Sequence, residues 1–297
     1  MPWYLLLPLG SAAVYAFSSL LMKRGLRDGA TVTQSFHVSN VFVSLIFAPL
    51  LLFEHGEVRW DLIHQPLVVS VAFFLGTWLT FLAIRKGDVS LVTPLMGTKV
   101  VFVAIGMALL ARQIPPLALW IAAALTAMGV FLMGAGDFGK QVHGHATSVS
   151  AALLSAAVFG FCDVFVRMWS HTFGAMTFLA LSSLGIGAIS AIVWLIQGCP
   201  SMRMVPGAGR FIIFASILVG LQAVAVGLAL SYFNDATGIN VAYASRGLWA
   251  ILLVSLVGPM LGNHERHASG RAFAWRIAGT TLLTAAVVLA VMARREG

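Results

Sequence analysis

The chain has 297 residues, of which 60% are hydrophobic and only 9% carry charge. Soluble domains carry roughly 25% charged residues, and a globule of this length cannot hide so many apolar side chains, so most must face lipid or one another. The net charge of +8 does not signal a nucleic-acid face. The charges fall mostly in short connections between apolar blocks, where a basic excess acts as orientation signal and anionic-lipid contact. Cys162 and Cys199 have neither metal-ligand nor disulfide spacing. No cleavable leader is expected, because no basic residue precedes the first apolar block.

A bilayer core about 30 Å thick needs about 20 apolar residues in a helix. Ten blocks meet that length, near 3–22, 32–53, 66–84, 89–111, 117–134, 148–168, 173–196, 211–233, 238–261 and 273–292. They are apolar all round rather than alternating, which predicts helices and not a barrel. The expected fold class is an all-α membrane protein with ten transmembrane helices.

The halves repeat. The run Ser11-Ala-Ala-Val-Tyr15-Ala-Phe17 in the first span matches Ser155-Ala-Ala-Val-Phe159-Gly-Phe161 in the sixth, a shift of 144 that also sets Lys23 against Arg167. Asp88 precedes Lys99 by eleven residues, and Asp235 precedes Arg246 by eleven, a shift of 147 that pairs Thr93 with Asn240 and Thr98 with Ser245. Five spans per half put the second half in the membrane the other way up. The expected organisation is therefore two inverted five-helix repeats, 1–136 and 148–297, joined by a loop at 137–147. Inverted repeats around a midplane site are a common plan of secondary transporters.

The stretch from Ala83 to Gly134, with Gly87-Asp88-Val89-Ser90-Leu91-Val92-Thr93-Pro94-Leu95 and later Gly129-Val130, resembles the later part of an EamA repeat of the drug/metabolite transporter superfamily. The stretch from Ala229 to Leu289, with Asn234-Asp235-Ala236-Thr237 and Leu261-Gly262-Asn263-His264-Glu265, resembles the same part of the second repeat. With the matched first and sixth spans, the resemblance covers essentially the whole chain. It implies ten spans, a cavity built mainly from spans one, three, four, six, eight and nine, and both termini in the cytoplasm. Two departures stand out: Ala111-Arg112 where many members carry Gly-Glu, and Val241 opposite Pro94.

Lys99 and Arg246 carry the sharpest signal, each about ten residues into its span. A Lys or Arg at the bilayer centre costs roughly 2.5–3.5 kcal/mol on insertion scales. Two readings are open: a structural pair in the bundle, or two cations converging on an anionic solute. Helical spacing puts Tyr243 and Trp249 beside Arg246, a stripe suited to a planar body with an anionic head, or simply to aromatic packing. Around Lys99 the same face carries Val92, Met96, Phe102 and Val103, and Pro94 interrupts backbone hydrogen bonding one turn earlier.

Asp163 is the carboxylate placed well inside the membrane. An i,i+4 bridge to Arg167 is the simplest reading; the others are a charge partner for Lys99 or Arg246, or a protonatable coupling site. His37 and Asn40 suit helix–helix hydrogen bonding. Gln222 and Trp78 join the candidate solute-binding set because spans eight and three border the cavity in the resembling fold, and Tyr15 joins it from span one. With Lys99, Arg246, Tyr243, Trp249, Thr98, Ser245, Thr93 and Asn240, these form the expected site.

No enzyme is expected. His143, His145, His264 and His267 lack a carboxylate or cysteine constellation of metal spacing, and no nucleotide fingerprint occurs, so no cofactor and no metal are assigned. The expected function is secondary active transport of a small organic metabolite, anionic or zwitterionic, by alternating access, with a coupling ion such as H+. A channel or an integral-membrane enzyme is the alternative. Monomer and homodimer are both open, with spans five and ten peripheral. The cell membrane is the expected location, with both termini on the same side.

Charge bias contradicts the orientation that the resemblance implies. With the termini inside, five basic residues lie inside (Arg59, Arg112, Arg167, Arg294, Arg295) and eleven outside (Lys23, Arg24, Arg27, Arg85, Lys86, Lys140, Arg203, Arg210, Arg266, Arg271, Arg276). The positive-inside rule predicts the reverse, with both termini away from the cytoplasm.

Overall fold

The computed structural model describes residues 3–53, 58–86, 95–135, 145–261 and 270–293. All regular structure among the described residues is helical: α1 (Leu6–Arg27), α2 (Val32–Phe47), α3 (His64–Lys86), α4 (Lys99–Leu109), α5 (Leu117–Ala135), α6 (His145–Phe173), α7 (Ala175–Ile196), α8 (Ala208–Tyr232), α9 (Ala236–Tyr243), α10 (Arg246–Leu256) and α11 (Gly270–Ala293). Short 3-10 turns precede α1, follow α2, precede α3 and follow α10. Helices satisfy their own backbone groups, which is the requirement hydrocarbon imposes. Six helical stretches are long and apolar enough to cross a bilayer: Trp3–Arg27, Val32–Leu52, Trp60–Ala83, Ala146–Phe173, Ala175–Ile196 and Ala208–Tyr232. Large apolar side chains such as Leu45, Leu75, Ile192, Phe214 and Val288 point outward and stay exposed. In a membrane protein that surface meets lipid.

The expected ninth span is not one helix. It divides into α9 and α10 at Ala244–Ser245 and ends in a 3-10 turn, Gly258–Leu261. The fourth, described from Leu95 onward, turns at Gly97–Thr98 before α4 begins. Some expected ends were short: α1 continues to Arg27 and α6 to Phe173.

Packing is reciprocal. Helix α1 lies against α8 and α10, while α3 lies against α6, which also holds α4. Helices α2 and α7 pack together, α2 also touching α8 and α7 also touching α3. Helices α5 and α11 pair with each other. Serines make the close approaches possible: Ser44 Oγ donates to the Ser183 carbonyl at 2.6 Å, Ser70 Oγ to Ser182 O at 2.7 Å, and Ser155 Oγ to Gly76 O at 2.7 Å. With lipid outside, such small-residue contacts and interhelical hydrogen bonds hold helices together where no hydrophobic driving force separates helix from lipid. His37 and Asn40 do the same work between α2 and α7. His37 Nδ1 lies 2.8 Å from Ser190 Oγ, and Asn40 Nδ2 donates to that oxygen at 3.4 Å.

The α1–α2 turn is fixed by a capping box, in which Thr31 Oγ1 accepts from the Gln34 amide and Gln34 Oε1 accepts from the Thr31 amide. The Gln34 amide group then donates to Ser201 O and Arg203 O, tying this turn to the α7–α8 connection. Helix α1 is also strapped to the ninth span at both ends. Tyr4 stacks on Phe233 with centroids 4.5 Å apart, and its hydroxyl donates to Asp235 at 2.8 Å. At the far end Arg24 and Arg27 donate to the Leu261 carbonyl at 2.9 and 3.1 Å.

Candidate functional site

A cavity of about 290 Å³ opens in the bundle. Its walls come from α1, α2, α3, α6, α7 and α8, from Met96 and the first residue of α4, and from the two residues flanking the interruption of the ninth span. Spans two and seven therefore contribute, through Ser39, Val43, Phe47 and through Leu179, Ser182, Ser183, Ile186, which the sequence reading had not expected. Among the described residues, helices α5 and α11 contribute none to the lining. Most of the wall is apolar, with hydroxyls from Ser18, Ser19, Thr77, Thr80, Ser182 and Ser183 distributed over it.

Two interrupted helices meet at the charged part of this cavity. Each interruption lies immediately before a cation: Gly97–Thr98 before Lys99, and Ala244–Ser245 before Arg246. The two positions differ by the 147 residues that relate the halves in sequence. Lys99 and Arg246 are thus the first residues of α4 and α10. A helix start presents unpaired N–H groups and a partial positive charge, so each cation sits in a field that adds to its own.

Lys99 is compensated. Its Nζ lies 2.6 Å from Asp163 Oδ2, and the two side chains are only 12% and 13% exposed. Gly160, three residues before Asp163 on α6, makes this contact possible. A Cβ there would stand 2.7 Å from Phe102 Cβ and 3.2 Å from the Lys99 carbonyl. Only hydrogen in that place lets α4 lie on the face of α6 that carries the carboxylate. The i,i+4 bridge from Asp163 to Arg167 does not form; the Arg167 guanidinium instead donates to His171 at 3.2 Å. Interhelical packing decides this, because Asp163 faces α4 while Arg167 lies a turn further toward the helix end.

Arg246 has no carboxylate partner among the described residues. One Nη donates to the Met96 carbonyl at 3.2 Å, beside the interruption in the other half. Its guanidinium stands 5.1 Å from the ring centroids of both Tyr15 and Tyr243. The Tyr243 hydroxyl donates to Gln222 Oε1 at 2.9 Å, and Gln222 Nε2 to Val219 O at 3.0 Å, so ring and guanidinium are held by a fixed chain of contacts. Lys99 Nζ lies 5.8 Å from the same Tyr243 ring. Both cations therefore converge on one aromatic face.

The structure brings Lys99, Arg246, Tyr243, Tyr15, Gln222 and Asp163 to the cavity wall. Other candidates are placed elsewhere. Trp249 does not line the cavity but packs into the main apolar core. Trp249 and Arg246 both lie on α10, but Arg246, its first residue, turns back toward the Met96 carbonyl and the two tyrosine rings. Trp78 points off the outer face of α3 and is 48% exposed, whereas Thr77 and Thr80 of the same helix line the cavity. Thr98 Oγ1 donates back to Leu95 O at 2.7 Å, Asn240 Nδ2 to Ala236 O at 3.0 Å, and Ser245 is buried at the interruption. Thr93, Pro94 and Asp88 lie outside the described residues.

Part of the chain is similar to known proteins. Residues 1–135 match the EamA-like transporter family. An uncharacterized transporter of Archaeoglobus fulgidus is similar, at 28% identity over 155 residues, 51% of this chain and 54% of that protein. The match thus spans about half the length of this curated relative. A solved structure described only as "Crystal structure of protein" superposes with a TM-score of 0.75 over 98% of both chains at 16% identity, a likeness of fold. The chain is a multi-pass membrane protein, and the matched family's description and the relative's name point away from catalysis.

Several cavity residues carry no advance signal in the sequence. Ser39, Ser182 and Thr80 are small polar residues in apolar helices, where back-bonding to the preceding turn is their ordinary role. Phe159 and Met96 look like core. Lys23 was assigned only to orientation, yet it lines the end of the cavity near the polar end of α1.

Gly160→Ala should therefore act on the charge pair as well as on packing. The added methyl displaces α4, lengthening the Lys99–Asp163 contact and lowering stability by about 1–3 kcal/mol. Thermal unfolding of the detergent-solubilised protein reads this; an unchanged midpoint would show that α4 does not need the glycine.

Proposed function

We propose that this protein is a secondary active transporter that carries a small organic anion or zwitterion by alternating access. The observation that carries the reading is the convergence of Lys99 and Arg246 on the Tyr243 ring inside a mostly apolar cavity. Arg246 anchors the anionic head, since its donors are oriented by the Met96 carbonyl and two aromatic rings. Lys99 adds a second cationic donor while Asp163 holds it in place. Apolar walls and scattered hydroxyls suit a body with few polar groups. Organic membrane-embedded sites of this type commonly sit where interrupted helices cross mid-membrane.

Two inverted five-helix repeats, 1–136 and 148–297, with ten spans in all, are the architecture that fits best. The reciprocal packing supports it: exchanging the halves turns the α1–α8 contact into the α6–α3 contact, and α4 on α6 into α10 on α1. Rocking one half against the other would open the cavity to alternate sides, breaking and remaking the ties at the two ends of α1. A coupling ion such as H+ belongs to this reading, with Asp163 serving as the charge partner of Lys99.

A channel or a lipid-modifying enzyme fits less well. Apart from Lys23 at the rim, the charged groups described on the cavity wall are concentrated at one depth rather than strung along a pore, and among the described residues they offer no nucleophile and base in hydrogen-bond contact. Solute counterflow in proteoliposomes separates the readings. An organic acid that stabilises the purified protein should show counterflow that falls at least about tenfold in Arg246→Ala and also in Arg246→Lys, because an ammonium lacks the planar fork. Full counterflow with lysine would leave only a generic charge requirement, and conductance without counterflow would favour a channel.

We also propose that both termini face away from the cytoplasm of the cell, on the strength of the basic residues that follow the first span. A carboxy-terminal alkaline phosphatase fusion should be active and the matching green fluorescent protein fusion dark; the opposite pair of results refutes it.

A further inference from the structure

The charges that line the cavity can be counted, and the count restricts the substrate. Among the described residues, the ionisable groups on its wall are Lys23 and Tyr15 from α1, Lys99 from α4, Cys162 and Asp163 from α6, Tyr243 from α9 and Arg246 from α10. Helices α2, α3, α7 and α8 place no ionisable side chain on it. Lys23 belongs to the rim: it lies eight residues past Tyr15, about 12 Å further along the helix at 1.5 Å per residue, beside the Arg24–Asp28 pair. At mid-depth that leaves two fixed cations and one fixed anion. Lys99 and Asp163 neutralise each other at 2.6 Å, and Arg246 meets only a carbonyl and two rings.

We propose that the site is matched to a single negative charge, and that Asp163 is the residue that sets this number. The inference rests on the anionic reading above and narrows it to monoanions with an apolar or aromatic body. In a site shielded from water an uncompensated charge is expensive whichever sign it has. One carboxylate brings the centre to neutrality by pairing with Arg246. A dianion would leave one negative charge unmatched, and that charge would face the Asp163 carboxylate. Tyr15 and Tyr243, edge to face with centroids 6.0 Å apart, form the aromatic wall beside the anion. The loaded carrier then crosses the membrane without net charge at its centre. Replacing Asp163 by its amide frees Lys99 and raises the count to two.

Matched acids that differ only in charge test this: benzoate against phthalate and propionate against succinate, at equal ionic strength and neutral pH, by dose-dependent thermal shift of the purified protein. Wild type should bind the monoanion of each pair at least about fivefold more tightly. Asp163→Asn should reverse the order. Lys99→Gln combined with Asp163→Asn removes one charge of each sign and should restore the monoanion preference, whatever its overall affinity. If Asp163→Asn does not fold, the wild type and the double variant still decide. A dianion preference in wild type or in the double variant, or a monoanion preference kept in Asp163→Asn, overturns the proposal and leaves the anionic reading standing. Stabilisation by none of the four acids in any form overturns the anionic reading itself.

Discussion

Holding ionised side chains at mid-membrane depth is the constraint around which this structure is built. A lone Lys or Arg there costs roughly 2.5–3.5 kcal/mol even on lenient scales, and this chain holds one of each. Lys99 is accommodated by ion-pairing with Asp163, which requires α4 to press onto α6 at Gly160. Arg246 is accommodated differently, by a backbone carbonyl at the facing interruption and by two tyrosine rings. Much of the packing around the cavity serves these two solutions. The Gln222–Tyr243 hydrogen bond fixes one ring, and the contact of α1 with α10 presents the other.

The two solutions are unequal, and that inequality gives the site its chemistry. If both cations had carboxylate partners, the cavity would be electrically closed and the pairing purely structural. If neither had one, two positive charges would face each other across an aromatic ring with helix starts adding to both. Among the described residues, one ion pair and one cation held by neutral groups leave the centre without a carboxylate for Arg246. The interruptions also let Arg246 reach the facing break at Met96. In the proposed function, a solute held by Arg246 is thereby coupled to the relative position of the halves.

Much of this was legible in the sequence, for identifiable reasons. The helical membrane fold follows from composition and block length. The equal spacing from Asp88 to Lys99 and from Asp235 to Arg246 singled out the two cations, because charge in an apolar span is too costly to be incidental. The interruptions were not legible in the ninth span. Gly238 to Leu261 is apolar apart from Asn240, Ser245, Arg246 and Ser255 and contains no proline before Pro259, so nothing in it marks a break at Ala244–Ser245. Pairing of Asp163 was likewise misjudged, since Arg167 is the simplest partner by spacing until Gly160 is seen to admit α4. Which face of α3 meets the cavity depends on bundle geometry. Trp78 was placed inward only because span three borders the cavity in the resembling fold, whereas Thr77 and Thr80 mark the face that meets it.

Ser19 lines the cavity one turn from Tyr15 and is exposed, so Ser19→Cys provides a direct probe of the cavity's charge. In a background with Cys162→Ser and Cys199→Ser, the rate at which Ser19→Cys is modified can be compared for methanethiosulfonates carrying a sulfonate or a trimethylammonium group, each normalised to a free thiol in solution. A centre with one uncompensated cation should favour the sulfonate reagent by at least about tenfold, and Arg246→Gln should abolish that preference. Equal normalised rates, or faster reaction with the cationic reagent, would contradict the anion-binding centre.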